Sequence, residues 1–178
     1  MLRNKTKILS LDPGTKHLGF AVFEDTELVD YGVKSIRQGS QKSILQHIDV
    51  ITNRWIKTLD PDYLVLEKNV FSQIQYNLRL MIVIRQIKNL AEKNGIRHYE
   101  YDPRAVRKVI CNDGNATKKR VSEVLITYFP ELIPYMKSDK VWVIKYYQNM
   151  FDAVAVGMTF MKQHVDSKQS IRKPFLRK

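Results

Sequence analysis

Ile8-Leu9-Ser10-Leu11-Asp12-Pro13-Gly14-Thr15 is the stretch on which the reading of this chain turns. Residues 7–12 alternate as a strand does, and Pro13-Gly14 ends them in a turn. The strand closes on an acid, Asp12. The pattern recurs at Tyr63-Leu64-Val65-Leu66-Glu67, a short apolar strand that closes on Glu67. A third acid, Asp152, opens the helical run Asp152-Ala153-Val154-Ala155-Val156-Gly157. Ionised side chains are seldom placed in apolar elements unless they are paired or bind a cation.

Around these segments the chain alternates in type. Residues 18–24 and 27–36 read as two further strands, giving a three-strand meander with 7–12. An amphipathic helix is predicted over 41–59 and ends at Asp60-Pro61. Strand 63–67 follows, then a long helix over 73–93 closed by Asn94-Gly95, then strand 96–101. Pro103 suits the first turn of a short helix to about Ile110. Residues 111–115 form a turn, and Ala116-Thr117 opens a helix to about Tyr128. Residues 129–143 are the least regular part. A last helix runs from about Lys145 to Val165, and 166–178 is a short basic tail. Strands that first pair antiparallel and then alternate with helices predict an α/β domain spanning 1–178. Its five-stranded mixed sheet would carry helices on both faces, with strands one, four and five parallel.

Side chains alternate along a strand, so Ile8, Ser10 and Asp12 share a face, as do Tyr63, Val65 and Glu67. If these strands are parallel neighbours, both acids emerge at the carboxyl edge of the sheet, where sites of open α/β folds lie. The last helix can bring Asp152, with Asn149 beside it three residues earlier. Small residues Ala153 and Gly157 would let that helix approach the sheet closely. Clustered carboxylates repel one another, and hard divalent cations with oxygen ligands, Mg²⁺ first, are their natural compensation.

The 178 residues carry a net charge of +12 and a pI near 9.8. A domain this basic is expected to meet polyanions, nucleic acid first. An acidic pocket on such a protein points to metal-dependent phosphodiester chemistry, and hence to a nuclease. A structural calcium loop of the EF-hand kind is excluded because the acids are scattered along the chain. One cysteine, Cys111, permits no internal disulfide and fits a reducing compartment. The four histidines lack paired zinc-ligand spacing, and His17 reads as an ordinary turn residue. No signal-like or membrane-spanning apolar run is present, so no membrane partner and a cytoplasmic location are expected, in a bacterium or for a phage in its host.

Four segments together resemble the RuvC family of Holliday junction resolvases. They are Ile8–Thr15 followed by Gly19; Leu64–Glu67 with Phe71 behind it; the basic stretch from Pro103 through Gly114-Asn115-Ala116-Thr117-Lys118; and Asn149–Gly157. Their order and spacing match across roughly residues 7–160. The resemblance implies an RNase H-like fold, a homodimer, and Mg²⁺-dependent cleavage with Mn²⁺ as a substitute. The substrate implied is four-way junction and other branched DNA, nicked symmetrically to leave 5′-phosphate and 3′-hydroxyl ends.

The residues carried over are Asp12, Glu67, Asn149 and Asp152 as metal ligands, and Arg107 and Lys118 as basic groups near the scissile phosphate. Lys118 joins the four ligands as a catalytic group. Lys108, Lys119 and Arg120 flank the same turn as DNA contacts, although a solvated helix face would also account for the last two. Phe71 has two readings: an aromatic that stacks on an unpaired base, or a hydrophobic staple for the helix behind it. Val70 competes for the aligned position, and Tyr76 is a weaker stacking candidate.

Asn149 departs from the family, whose last helix usually carries two acids at this spacing. It is either a tolerated neutral ligand, a change made to trap a substrate complex, or the mark of a lineage with altered activity. Two rivals to the resolvase therefore stand: an RNase H-like nuclease that processes precursor ribosomal RNA, and a cleavage-deficient branched-DNA-binding protein.

Overall fold

The computed structural model describes residues 5–68, 74–136 and 141–164. Strands β1 (Lys7–Asp12), β2 (His17–Glu24) and β3 (Glu27–Ser35) form the antiparallel meander, and β4 (Tyr63–Glu67) and β5 (Arg97–Tyr101) complete one sheet. The order is β3-β2-β1-β4-β5. Strands β1, β4 and β5 are parallel, with Ser10 opposite Val65 and Glu67 opposite Tyr101. The predicted mixed sheet is the observed one.

Its two faces bury two cores. Leu9, Leu11, Leu64 and Leu66 face helices α1 (Gln41–Leu59) and α2 (Ile74–Lys93), packing with Ile48, Trp55 and Ile87. The residues between them, Ile8 and Val65 with Ala21 and Phe23 of β2, face α3 (Pro103–Cys111), α4 (Lys118–Tyr128) and the long final helix. Alternation along the strands sends Asp12 and Glu67 to this second side.

Local chemistry sets the helix starts, those of α3 and α4 beside the site among them. The Ser40 side chain caps α1 at Ser43 N, 3.2 Å away. The Asp102 carboxylate accepts from Arg104 N at 2.8 Å, with Pro103 in the first turn of α3. Thr117 accepts from Arg120 N at 3.1 Å and so places Lys118 at the first position of α4.

Within the stretch predicted as irregular, residues 130–136 are helical. Pro130–Leu132 makes a 3₁₀ turn, and Ile133–Met136 is a short helix (α5). Prolines are tolerated in a first helical turn, where the missing N–H has no intrahelical partner. The last helix, α6 (Val141–His164), starts four residues before the predicted Lys145. A β-branched residue such as Val143 lowers helix propensity only slightly, and the packing of a long helix outweighs that. Among the described residues no helix is long and apolar enough to cross a membrane. Phe71 and the tail 166–178 lie outside the described residues, as does the side chain of Tyr76.

Helix α6 lies directly on β1 and β2, and two glycines make this approach possible. A Cβ at Gly19 would stand 2.0 Å from the Asn149 carbonyl oxygen. One at Gly157 would stand 2.3 Å from a ring carbon of Phe23 and 2.6 Å from Ser10 Oγ. Each contact is far inside van der Waals distance, so any side chain at either position would push α6 off the sheet. The glycines thereby fix how far Asp152 stands from the strand ends.

Candidate metal centre

Asp12 leaves the end of β1, Glu67 the end of the adjacent parallel strand β4, and Asp152 descends from α6. One carboxylate oxygen from each lies within 4.8 Å of the others. The three acids read from the sequence are therefore brought together. Asp152 is buried, while Asp12 and Glu67 are partly buried.

Gathering these charges has a cost that the carboxyl groups register. Burial, followed by the charges of Glu67 and Asp152, holds the Asp12 carboxyl well above the usual carboxylate range. Burial and the Asp152 charge push Glu67 up to about 7, against the opposing pull of a hydrogen bond from Asp12 and of the Lys118 and Arg107 cations. A cluster of mutually repelling carboxyl groups of this kind is a fitting donor set for a hard divalent cation.

Lys118 is the nearest compensating charge. Its ammonium donates to Asp152 Oδ2 at 2.5 Å. Its burial would favour the neutral amine, but Asp152, Asp12 and Glu67 outweigh this and raise its pKa. Gln148, one helical turn before Asp152, donates from Nε2 to the other oxygen, Oδ1, at 3.0 Å. Both oxygens of Asp152 are thus held. A narrow cleft lined by Glu67, Pro103, Val106, Arg107, Lys118, Val121, Asp152 and Ala155 opens beside the cluster.

The remaining sequence candidates divide. Arg107 and Lys118 line the cleft. Lys108, Lys119 and Arg120 are exposed on α3 and α4, outside its lining, and Arg120 pairs with Glu123 at 3.6 Å on its own helix. Asn149 lies over the β1–β2 turn. Its Nδ2 is 3.6 Å from where a Cβ of Gly14 would stand, and its backbone presses on Gly19. Among the described residues its amide has no hydrogen-bond partner. His17, at the start of β2, packs edge-on against Tyr146 with centroids 5.2 Å apart.

Gln148 and the Lys118–Asp152 pair were not anticipated. The four-residue spacing of Gln148 and Asp152 on one helix was a usable signal. Nothing in the sequence links residues 118 and 152, whose proximity depends on how α4 packs on α6.

Fold and site together define a class: an RNase H-like domain with an acidic cluster at the carboxyl edge of its central parallel strands. Within that class the chain belongs to the RuvC family, described as Crossover junction endodeoxyribonuclease RuvC, which matches residues 8–160. A relative of that name from Akkermansia muciniphila is 26% identical over 165 residues, covering 87% of this chain and 90% of its own. The structure of Thermus thermophilus RuvC in complex with Holliday junction substrate superposes with a TM-score of 0.70 at 17% identity, covering 95% of this chain and 99% of that one. The yeast mitochondrial Holliday junction resolvase Ydc2 superposes with a TM-score of 0.71 at 12% identity, covering 96% and 84%.

Proposed function

We propose that the protein is a crossover junction endodeoxyribonuclease that nicks four-way junction and other branched DNA with Mg²⁺. The observation that carries this reading is the gathering of Asp12, Glu67 and Asp152 within 4.8 Å beside a cleft bearing Arg107 and Lys118. Asp12, Glu67 and Asp152 would hold the cation, with the Asn149 amide oxygen as a neutral fourth donor. When bound, Mg²⁺ neutralises charge developing at phosphorus and favours deprotonation of an attacking water.

The chain's own residues do the rest. Arg107 and Lys118 draw a backbone phosphate into the cleft against the repulsion of the acids. Lys108, Lys119 and Arg120 extend the attraction along α3 and α4, adding affinity and salt dependence but no sequence preference. A nucleophilic side chain is not required, because water cleaves the ester and leaves 5′-phosphate and 3′-hydroxyl ends.

Symmetric cutting requires two sites, and a homodimer supplies them. The reading is supported by α2, which exposes Leu78 and Met81 beside a groove lined by Ile82, Ile84 and Arg85. A second copy covering that face would remove this apolar surface from water.

A plasmid extruding a cruciform tests nuclease and dimer together. Paired nicks within one encounter yield linear plasmid, single nicks yield open circles, and linear duplex and structured RNA serve as controls. We expect Mg²⁺-dependent linear product and little cutting of either control. Binding to the junction with no cutting would favour the second reading, a cleavage-deficient branched-DNA-binding protein, which neutral Asn149 supports. Asn149→Asp in the same assay should lower the half-saturating Mg²⁺ concentration by roughly 10-fold, because a fourth charged ligand strengthens a hard-cation site. An unchanged Mg²⁺ requirement would remove Asn149 from the site.

A further inference from the structure

We infer that Gln148 is a positioning residue for the metal ligand Asp152, an inference that rests on the metal-site reading above. The two hydrogen bonds to Asp152 differ in kind. Lys118 comes from α4, its side chain is about half exposed, and it carries a charge. Gln148 comes from the same helix as Asp152, is partly buried, and is neutral. A carboxylate only accepts, so the amide must turn its NH₂ toward Oδ1. One N–H donor occupies one lone pair and leaves the oxygen able to face a cation.

The consequence concerns orientation. If Lys118 leaves Asp152 for a substrate phosphate, its grip on Oδ2 is lost. Among the described residues, Gln148 is then the only remaining side chain hydrogen-bonded to the carboxylate, and it keeps that group aimed at Asp12 and Glu67. It does so without adding a positive charge that would compete with the metal. With Asn149 neutral, the site has three charged ligands, so a loss of order in one of them removes a large share of the binding energy. Groups that orient metal ligands through hydrogen bonds commonly affect affinity by an order of magnitude or more.

The test uses two variants and a readout that does not depend on cutting. Gln148→Met keeps the length and loses the donor, whereas Gln148→Asn keeps the amide and loses the reach. Mn²⁺ binding to DNA-free protein is followed by electron paramagnetic resonance. Both variants should weaken binding by about 10-fold, at the lower end of such effects because Lys118 still restrains Asp152. The Mn²⁺ concentration for half-maximal junction nicking should rise by the same factor, with turnover at saturating Mn²⁺ within about 2-fold of the parent protein. Melting temperature in EDTA should not move, which separates positioning from folding. Parent-like Mn²⁺ affinity in either variant overturns the role of Gln148 and leaves the metal site standing. Parent protein that binds no Mn²⁺, by contrast, overturns the metal-site reading and this inference with it.

Discussion

Replacing Asp12 by Asn is expected to abolish nicking while making the metal-free protein more stable. Asp12 is the acid at the carboxyl end of β1, the central strand of the sheet, and an amide there removes a charge and leaves a single neutral oxygen donor where a carboxylate stood. The expected loss of Mg²⁺-dependent cutting is about 10³-fold or more. Junction binding in EDTA should persist or tighten slightly, because one negative charge is taken away from the path of the phosphates.

The stability gain follows from the raised carboxyl groups. An acid whose folded pKa lies above its unfolded value keeps its proton longer in the folded state. Its folded form is favoured at low pH, and that advantage is lost as pH rises through the folded value. For Glu67 the window runs from 4.5 to about 7; Asp12 is shifted in the same direction. Above this window the ionised cluster works against folding, and Asn at position 12 relieves part of that repulsion. A gain on the order of 2 kcal/mol is expected at pH 8 in EDTA, shrinking toward pH 5. Thermal melts at the two pH values, with and without Mg²⁺, check the sign. Mg²⁺ should stabilise the parent protein and leave Asp12→Asn unmoved. A variant destabilised at pH 8 would show that Asp12 has a structural role instead.

The acids were legible in the sequence because strand geometry is strict. A residue at the carboxyl end of a buried strand has only two faces to choose from, and the alternation Ile8-Ser10-Asp12 and Tyr63-Val65-Glu67 makes the choice for both. The close approach of α6 was legible through its small residues Ala153 and Gly157: Gly157 sits where Phe23 and Ser10 leave no room for a Cβ, while the matching role of Gly19 in β2, which receives the Asn149 backbone, was not read. What was not legible depends on packing between elements far apart in sequence. The onset of α6 was misplaced because proline and a Lys-Ser-Asp-Lys run just before it resemble a loop. The engagement of Lys118 with Asp152 escaped for a related reason. Sequence marks a lysine after a glycine turn as a phosphate contact, but the distance from α4 to α6 decides what it touches before any phosphate arrives.

That last contact yields the second large effect. Lys118→Met should cut nicking by roughly 10²- to 10³-fold, the scale of losing one preorganised group that stabilises developing charge. The same change should strengthen Mn²⁺ binding in the absence of DNA by several fold, on the order of 3- to 10-fold. The reason is competition: at 2.5 Å from Asp152 Oδ2, the ammonium neutralises the charge a divalent ion would use. The two readouts therefore move in opposite directions, unlike those of Asp12→Asn, where both fall, or of Gln148→Met, where affinity falls and saturated turnover holds. Salt titration of junction binding adds a third measure, since loss of one phosphate contact should flatten the log–log slope by about 1. If Mn²⁺ affinity instead falls together with nicking, Lys118 acts by holding Asp152 in place and not as a resident cation that gives way. If nicking survives, the cleft beside Glu67 and Asp152 is not where the phosphate is cut.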